Sequence, residues 1–140
     1  MDRPALLAVP ALVLAALTVP LRGLVAFEAA RAAISPVVLL SLLSQVLWTL
    51  TAAVGFAAVG YVYGRRGGRA PSTRVFGVAA PSALLGAAVG GVLFPFGAAA
   101  TAPGGPAVEY VVVGLFAAPD GLLFGLLVAG GYALTLEPSR

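Results

Sequence analysis

The chain has 140 residues, of which 61% are hydrophobic and only 9% are charged, and its net charge is +3. In a soluble domain of this size roughly a quarter of the residues are charged, so the composition predicts a single integral membrane domain, 1–140. Cysteine, histidine and lysine are absent, which excludes disulfides, thiolate or histidine metal sites, Ser-His-Asp hydrolases and Schiff-base enzymes. The positive charge comes from loops beside the membrane and does not indicate nucleic-acid binding.

The first apolar run, 5–21, predicts a transmembrane helix. Its 17 residues are uncharged, and at ~1.5 Å per residue they just cross a hydrocarbon core of ~30 Å. We expect Pro10 and Pro20 to bend or end this helix, because each removes a backbone donor. The alternative is a cleaved signal peptide, with the small residues of 29–33 as its cleavage region. We favour a retained helix because no Ala-x-Ala site follows the run promptly.

Charged residues separate the first span from the second. Glu28 and Arg31 are three residues apart, so they can pair across one helical turn. The segment 22–33 is typical of an interfacial helix or a connection on the far side of the membrane. The alternative is a charged re-entrant element that contributes to a polar pathway.

The second predicted span, 36–63, carries a polar face. Ser35 and Pro36 suit a helix start, with the serine as the cap and the proline in the first turn. At ~100° per residue, one face collects Ser41, Ser44, Gln45 and Trp48. We interpret them as interhelical hydrogen-bonding groups; the alternative is a face that lines the path of a substrate or an ion. Tyr61 and Tyr63, at the end of the span, are typical interfacial anchors.

The third predicted span, 75–96, contains glycines spaced for close helix packing. Gly86 and Gly90 form a Gly-x-x-x-Gly pair, and Gly121 and Gly125 form another in the fourth span. Small residues let helix backbones approach closely, so both pairs are predicted helix-packing residues. The motif alone is weak evidence in a chain with 18 glycines.

The fourth predicted span, 108–136, carries two acids, Glu109 and Asp120. Eleven residues separate them, and eleven steps of ~100° return to within ~20° of the same helix face. A carboxylate at the bilayer centre costs roughly 2.5–3.5 kcal/mol and usually marks function, so both are candidate intramembrane acids. We expect Asp120 to have no arginine partner, because Arg22 and Arg31 could reach it only if the outer segment folded back into the bundle.

The tripeptide Pro119-Asp120-Gly121 leaves a second interpretation of the last run open. It suits a turn or a helix start, which would make the fourth span begin near Pro119 and place Asp120 at a helix N-terminus. We favour one kinked helix, because the residues of 110–118 are too apolar to lie in water.

Arginine distribution predicts the orientation. Four arginines lie in one glycine- and proline-containing loop, 64–74, and these topology-setting residues are Arg65, Arg66, Arg69 and Arg74. With four spans, six of the eight arginines lie on the side of this loop, and Arg22 and Arg31 lie on the other. Because cytoplasmic loops are enriched in arginine, we predict that the loop and both termini face the cytoplasm across the cell membrane.

These observations predict an all-α membrane protein with four transmembrane helices, arranged as two hairpins on either side of the basic loop. The abundant small residues favour a non-enzymatic accessory or assembly subunit that acts by helix packing in the lipid bilayer. Its partners would be other membrane subunits or further copies of itself, with no cofactor and no metal. The alternative is an ion- or proton-coupled carrier or channel subunit that uses Asp120. An enzyme is disfavoured because no pair of catalytic carboxylates is apparent.

The orientation can be tested by thiol labelling, since the chain has no cysteine of its own. In intact cells, Ser72→Cys should resist a membrane-impermeant thiol reagent because the basic loop faces inward, while Thr101→Cys should react. The reverse labelling pattern would show that the predicted orientation is wrong.

Overall fold

The computed structural model describes residues 3–24, 28–94 and 106–136, without the side chains of residues 28, 29, 106–114 and 116. This part of the chain is helical and contains no strand. Lipid offers no hydrogen bonds to the backbone, so a helix is the form in which a single apolar run satisfies its own N–H and C=O groups. A 3-10 turn, Pro4–Leu7, is followed by α1 (Ala8–Arg22), α2 (Glu28–Ala33), α3 (Val37–Arg65), α4 (Ser72–Leu93) and α5 (Pro106–Ala133).

Three of these helices are long and apolar enough to cross a membrane. They are Pro4–Arg22, which joins the 3-10 turn to α1, and the helices α3 and α4. In α5, the described apolar stretch is shorter, Ala117–Ala133. The described residues therefore contain three candidate spans where the sequence predicted four, and the difference lies in α5.

Two predicted helix boundaries are corrected by the structure. α3 does not begin with a serine cap: Pro36 is its N-cap residue, and no side chain caps the helix. α4 begins at Ser72, three residues before the predicted start, with Pro71 as its N-cap. Proline is compatible with a helix start because the first N–H groups of a helix have no partner within it.

The end of α3 is made by Gly67. This glycine has a φ of +80°, in the left-handed region that glycine enters at little cost. The Gly68 N–H donates to the Tyr63 carbonyl and the Gly67 N–H to the Gly64 carbonyl, both at 3.1 Å. This pair of bonds satisfies the last carbonyls of the helix in a Schellman motif. The basic loop is therefore a defined turn between two helices.

Pro119 lies inside α5, which continues on both sides of it. The structure thus has the one-helix arrangement of the last apolar run and not a helix that starts at Pro119. Asp120 is consequently a residue of the helix interior, and it has no role as an N-terminal cap.

The four long helices form a bundle in which each packs against two neighbours. α1 contacts α3 and α4, and α5 contacts the same two helices from the opposite side. α1 and α5 lie across the bundle from each other and share few contacts. The residues that face successive glycines give the directions of the helices. α1 runs parallel to α4, and α5 runs antiparallel to α4 and parallel to α3.

Glycines allow close backbone approach in three of these contacts, α1 with α4, α4 with α5, and α3 with α5. Gly86 and Gly90 of α4 lie against the backbone of α1, where a Cβ atom would overlap the carbonyl oxygen of Leu12 or lie 2.8 Å from that of Ala16. Gly121 and Gly125 of α5 lie against α4, with an added Cβ 2.9 Å from the Cα atoms of Leu84 and Ala80, respectively. Real Cβ atoms do not make such contacts, so a side chain at these positions would force the helices apart.

Aromatic rings fill the contact between α3 and α5. Phe56 and Phe124 are fully buried and stack with their ring centroids 4.2 Å apart and an interplanar angle of 10°. Trp48 adds a tilted contact to Phe124 at 6.1 Å. The contact between α1 and α4 is built instead from small residues, with Ala15 of α1 beside Gly86 of α4 and Ala16 beside Gly90.

Two adjacent glycines in α5 provide a matched test of this packing. A Cβ atom at Gly131 would overlap the carbonyl oxygen of Ala57, whereas at Gly130 it would have no atom within 4 Å. We expect Gly131→Ala to lower the Tm in detergent, with an overpacking cost of about 1–3 kcal/mol. Gly130→Ala should leave the Tm unchanged or raise it, because alanine loses less backbone entropy in a helix. Equal Tm values for the two variants would contradict the packing.

Candidate functional site

Arg22, Trp48 and Asp120 form a polar cluster between three helices. The Arg22 Nη1 atom lies 2.8 Å from the Asp120 Oδ2 atom, in a hydrogen-bonded ion pair. The guanidinium carbon also lies 4.9 Å from the centroid of the Trp48 ring, within the range of a cation–π interaction. One arginine of α1 thereby connects α3 and α5.

Ser44 of α3 places the end of α1 beside this cluster. Its hydroxyl donates to the carbonyl oxygen of Leu21 at 2.6 Å, and the carbonyl oxygen of Arg22 lies 3.1 Å away. The last four carbonyls of a helix have no partner within the helix, and a buried serine on the neighbouring helix satisfies that of Leu21 here. The bond also fixes the backbone from which the Arg22 side chain extends.

The ion pair overturns the expectation that Asp120 has no arginine partner. The outer segment does not need to fold back, because Arg22 is still part of the last turn of α1, and its long side chain reaches Asp120 from there. The two residues are 98 positions apart in the chain, which is why no local pattern indicated the pair. One signal was present: Arg22 follows the first apolar run directly, and Asp120 is the only aspartate within an apolar run.

In this cluster the Arg22 guanidinium neutralises the charge of the Asp120 carboxylate. The Asp120 side chain is 20% exposed and that of Arg22 is 55% exposed. A carboxylate in apolar surroundings is costly when it is alone, and a charge-assisted hydrogen bond to a guanidinium offsets part of that cost. The pair also joins α1 to α5, two helices that share few other contacts. Its arrangement therefore supports a structural role.

The predicted polar face of α3 is divided by the structure. Ser44 is buried and makes the interhelical bond described above, and Trp48 is half-buried against Phe124. Ser41 and Gln45 are exposed on the outside of the bundle. The Ser41 hydroxyl donates to a carbonyl of its own helix at 3.0 Å, so this side chain makes no use of a neighbouring helix.

The basic loop is anchored by a residue of α5 that the sequence analysis missed, Tyr132. Its hydroxyl donates to the Ala70 carbonyl at 2.8 Å, accepts from the Ala70 N–H at 3.2 Å and lies 3.3 Å from the Gly68 carbonyl. Its ring is buried beside that of Tyr63, with the centroids 5.6 Å apart. A tyrosine near the end of the last apolar run was the available signal. The four topology-setting arginines of this region are all exposed.

The remaining candidate acid, Glu109, has a side chain outside those that the structure describes. Within the described residues, no group of three acidic side chains assembles that could hold a metal ion. No family model, curated protein or solved structure matches the chain.

The ion pair can be tested by a double-mutant cycle in detergent. Arg22→Gln should lower the Tm more than Asp120→Asn, because it leaves an unpaired anion on the less exposed partner. The double variant should recover part of the loss, with a coupling free energy of roughly 0.5–3 kcal/mol. Strictly additive losses would show that the two side chains do not stabilise each other.

Proposed function

We propose that the chain is a small four-span protein of the cell membrane that acts as a non-enzymatic accessory or assembly subunit through helix packing. Both termini and the basic loop lie on the cytoplasmic side in this proposal, in keeping with the arginine distribution. α5 serves as the fourth span. It has 28 residues, a length of about 42 Å at ~1.5 Å per residue, and it packs along two helices that are themselves candidate spans.

The observation that carries the proposal is an outward-facing glutamine on α3. Gln45 is the only glutamine of the chain, its side chain is exposed, and its amide makes no hydrogen bond within the described part of the chain. Sixteen residues separate it from Tyr61, or about 24 Å of helix, which places it near the far edge of a hydrocarbon core of ~30 Å, level with the end of α1, when Tyr61 lies at the interface.

An amide at this depth favours contact with another helix. A polar group that faces hydrocarbon without a hydrogen bond costs several kcal/mol, and an amide from a neighbouring helix removes that cost. The flanking positions of α3 expose large apolar side chains, among them Leu42 at 61% and Leu50 at 56%. Such an apolar surface with one hydrogen-bonding group is suited to a transmembrane helix of a partner subunit or of a second copy.

Carrier or channel function is the second candidate, and the Arg22–Asp120 pair is the observation in its favour. An ion pair within apolar surroundings could open and close during transport. The bundle interior argues against this candidate. In the described part of the chain, the buried polar side chains outside the aromatic residues are Thr18 and Ser44, and both hydrogen-bond to backbone carbonyls. These groups do not make a polar pathway through the bundle.

The assembly proposal predicts a specific effect of Gln45→Leu. The variant keeps the side-chain size but removes the amide, so the complex isolated in mild detergent should dissociate about three- to seventeenfold more readily, since an interhelical hydrogen bond contributes about 0.6–1.7 kcal/mol in membranes. The readout is the mass and subunit content of the complex by light scattering with size-exclusion chromatography.

The matched control is Thr49→Val, one turn further along α3. The Thr49 hydroxyl is exposed but already donates to the Gln45 carbonyl at 2.8 Å, so its removal should leave the assembly intact. A wild-type protein that is monomeric and free of partners would overturn the proposal. Proton flux in proteoliposomes that is lost in Asp120→Asn would support the carrier candidate instead.

A further inference from the structure

A groove opens between α1 and α3 at the end of the bundle that carries the basic loop. Its volume is about 490 Å³, within the range of small-molecule sites. Leu6 and Pro10 line it from the first span, and Ala58, Val59 and Val62 line it from α3. Arg66 and Gly68 lie at the loop end of the groove.

The groove lies beyond the point where Gly55 of α3 meets the Leu14 side chain of α1. The three atoms nearest to a Cβ atom at Gly55 would all belong to the side chain of Leu14, the first of them 2.8 Å away. Beyond Gly55 towards the loop, the facing residues include alanine and proline, which are too small to close the space. The contact of Leu14 with Gly55 therefore marks the inner end of the groove.

The length of the groove matches one leaflet of a bilayer. Eleven residues separate Gly55 from Arg66, which corresponds to about 16 Å of helix, or roughly half of the ~30 Å hydrocarbon core. The groove thus runs from the level of the basic loop to the middle of the membrane. An acyl chain that enters from the loop side occupies this depth range.

Arg66 supplies the charge at the mouth of the groove. Its side chain is exposed, and it has no hydrogen bond or ion pair within the described part of the chain. A guanidinium has five N–H donors and binds phosphate oxygens in a bidentate manner. Basic pockets between helices on the cytoplasmic side of a membrane are suited to anionic lipid head groups.

We propose that this groove is a binding site for an anionic phospholipid of the loop-side leaflet. One acyl chain lies along the apolar residues between α1 and α3, and the phosphate binds the Arg66 guanidinium. A helix of another protein is the competing occupant, but the groove stops at Leu14, halfway across the membrane, whereas a transmembrane helix would need a continuous seam. This inference rests on the proposed membrane position of the bundle and not on its assembly with partners.

Native mass spectrometry of the detergent-purified protein tests the site with phosphatidylglycerol and phosphatidylcholine that carry the same acyl chains. We expect one phosphatidylglycerol to bind per chain and to be retained about fivefold better than phosphatidylcholine. A single arginine near an anionic membrane surface contributes about 1 kcal/mol of binding free energy, which corresponds to this ratio. Arg66→Gln should remove this preference. The neighbouring Arg65→Gln should preserve it, because Arg65 does not line the groove.

A second pair of variants tests the apolar part of the groove. Ala58→Phe should fill it and lower the retention of both lipids, while Val54→Phe should not, because Val54 is 65% exposed and lies outside the groove.

Equal retention of the two lipids by the wild type, or retention unaffected by Ala58→Phe, would overturn the proposal. A change in oligomeric mass with Ala58→Phe would assign the groove to a helix. If the protein binds lipid as expected but forms no complex, the lipid-site proposal stands and only the assembly proposal is wrong.

Discussion

The close approach of helix backbones is the constraint on which the rest of the structure depends. In three of the four contacts between long helices, a glycine lies directly against the backbone of its neighbour. Without a hydrophobic driving force between helices in lipid, close van der Waals packing of this kind supplies much of the association free energy. The fourth contact, between α1 and α3, relies on Gly55 against the Leu14 side chain. The lipid-sized groove lies at the loop end of this contact, away from the Ser44 bond that joins α3 to the end of α1.

Polar groups of the bundle fall into two sets according to the direction in which they face. Those that face inward are used within the fold: Ser44 bonds to the end of α1, Asp120 pairs with Arg22, and Tyr132 bonds to the basic loop. Two of those that face outward, Gln45 and Arg66, have side chains without such partners in the described residues. A buried polar group must be satisfied, and the same requirement applies to one that faces hydrocarbon.

The depth of each outward group determines the kind of partner that suits it. Gln45 lies near the outer edge of the part of α3 that hydrocarbon would surround, among exposed apolar side chains that suit contact with another protein helix. Arg66 lies at the loop, where phosphate groups of lipids are available. Gln45 is a residue of α3 and Arg66 is the C-cap residue of the same helix, so α3 and its end present both the proposed protein contact and part of the proposed lipid site. The Arg22–Asp120 pair, by contrast, is completed within the chain, which weakens the interpretation of Asp120 as a transport residue.

The sequence by itself determined the properties that depend on neighbouring residues. Composition and run length indicated an all-helical chain with membrane-spanning character, because apolar side chains and backbone hydrogen bonds act locally along each segment. Glycine and proline in the segment 64–74 indicated a loop, because these residues also act locally on the backbone.

Only the tertiary structure decided which residues meet across the bundle. Arg22 and Asp120 are far apart in the chain, and nothing in a periodic pattern specifies the rotation of one helix relative to another. The polar face of α3 shows this limit clearly: helical spacing placed Ser44 and Gln45 together, but the packing of α1 turned Ser44 inward and left Gln45 outside. Spacing defines a face, whereas burial depends on the neighbours that pack against it.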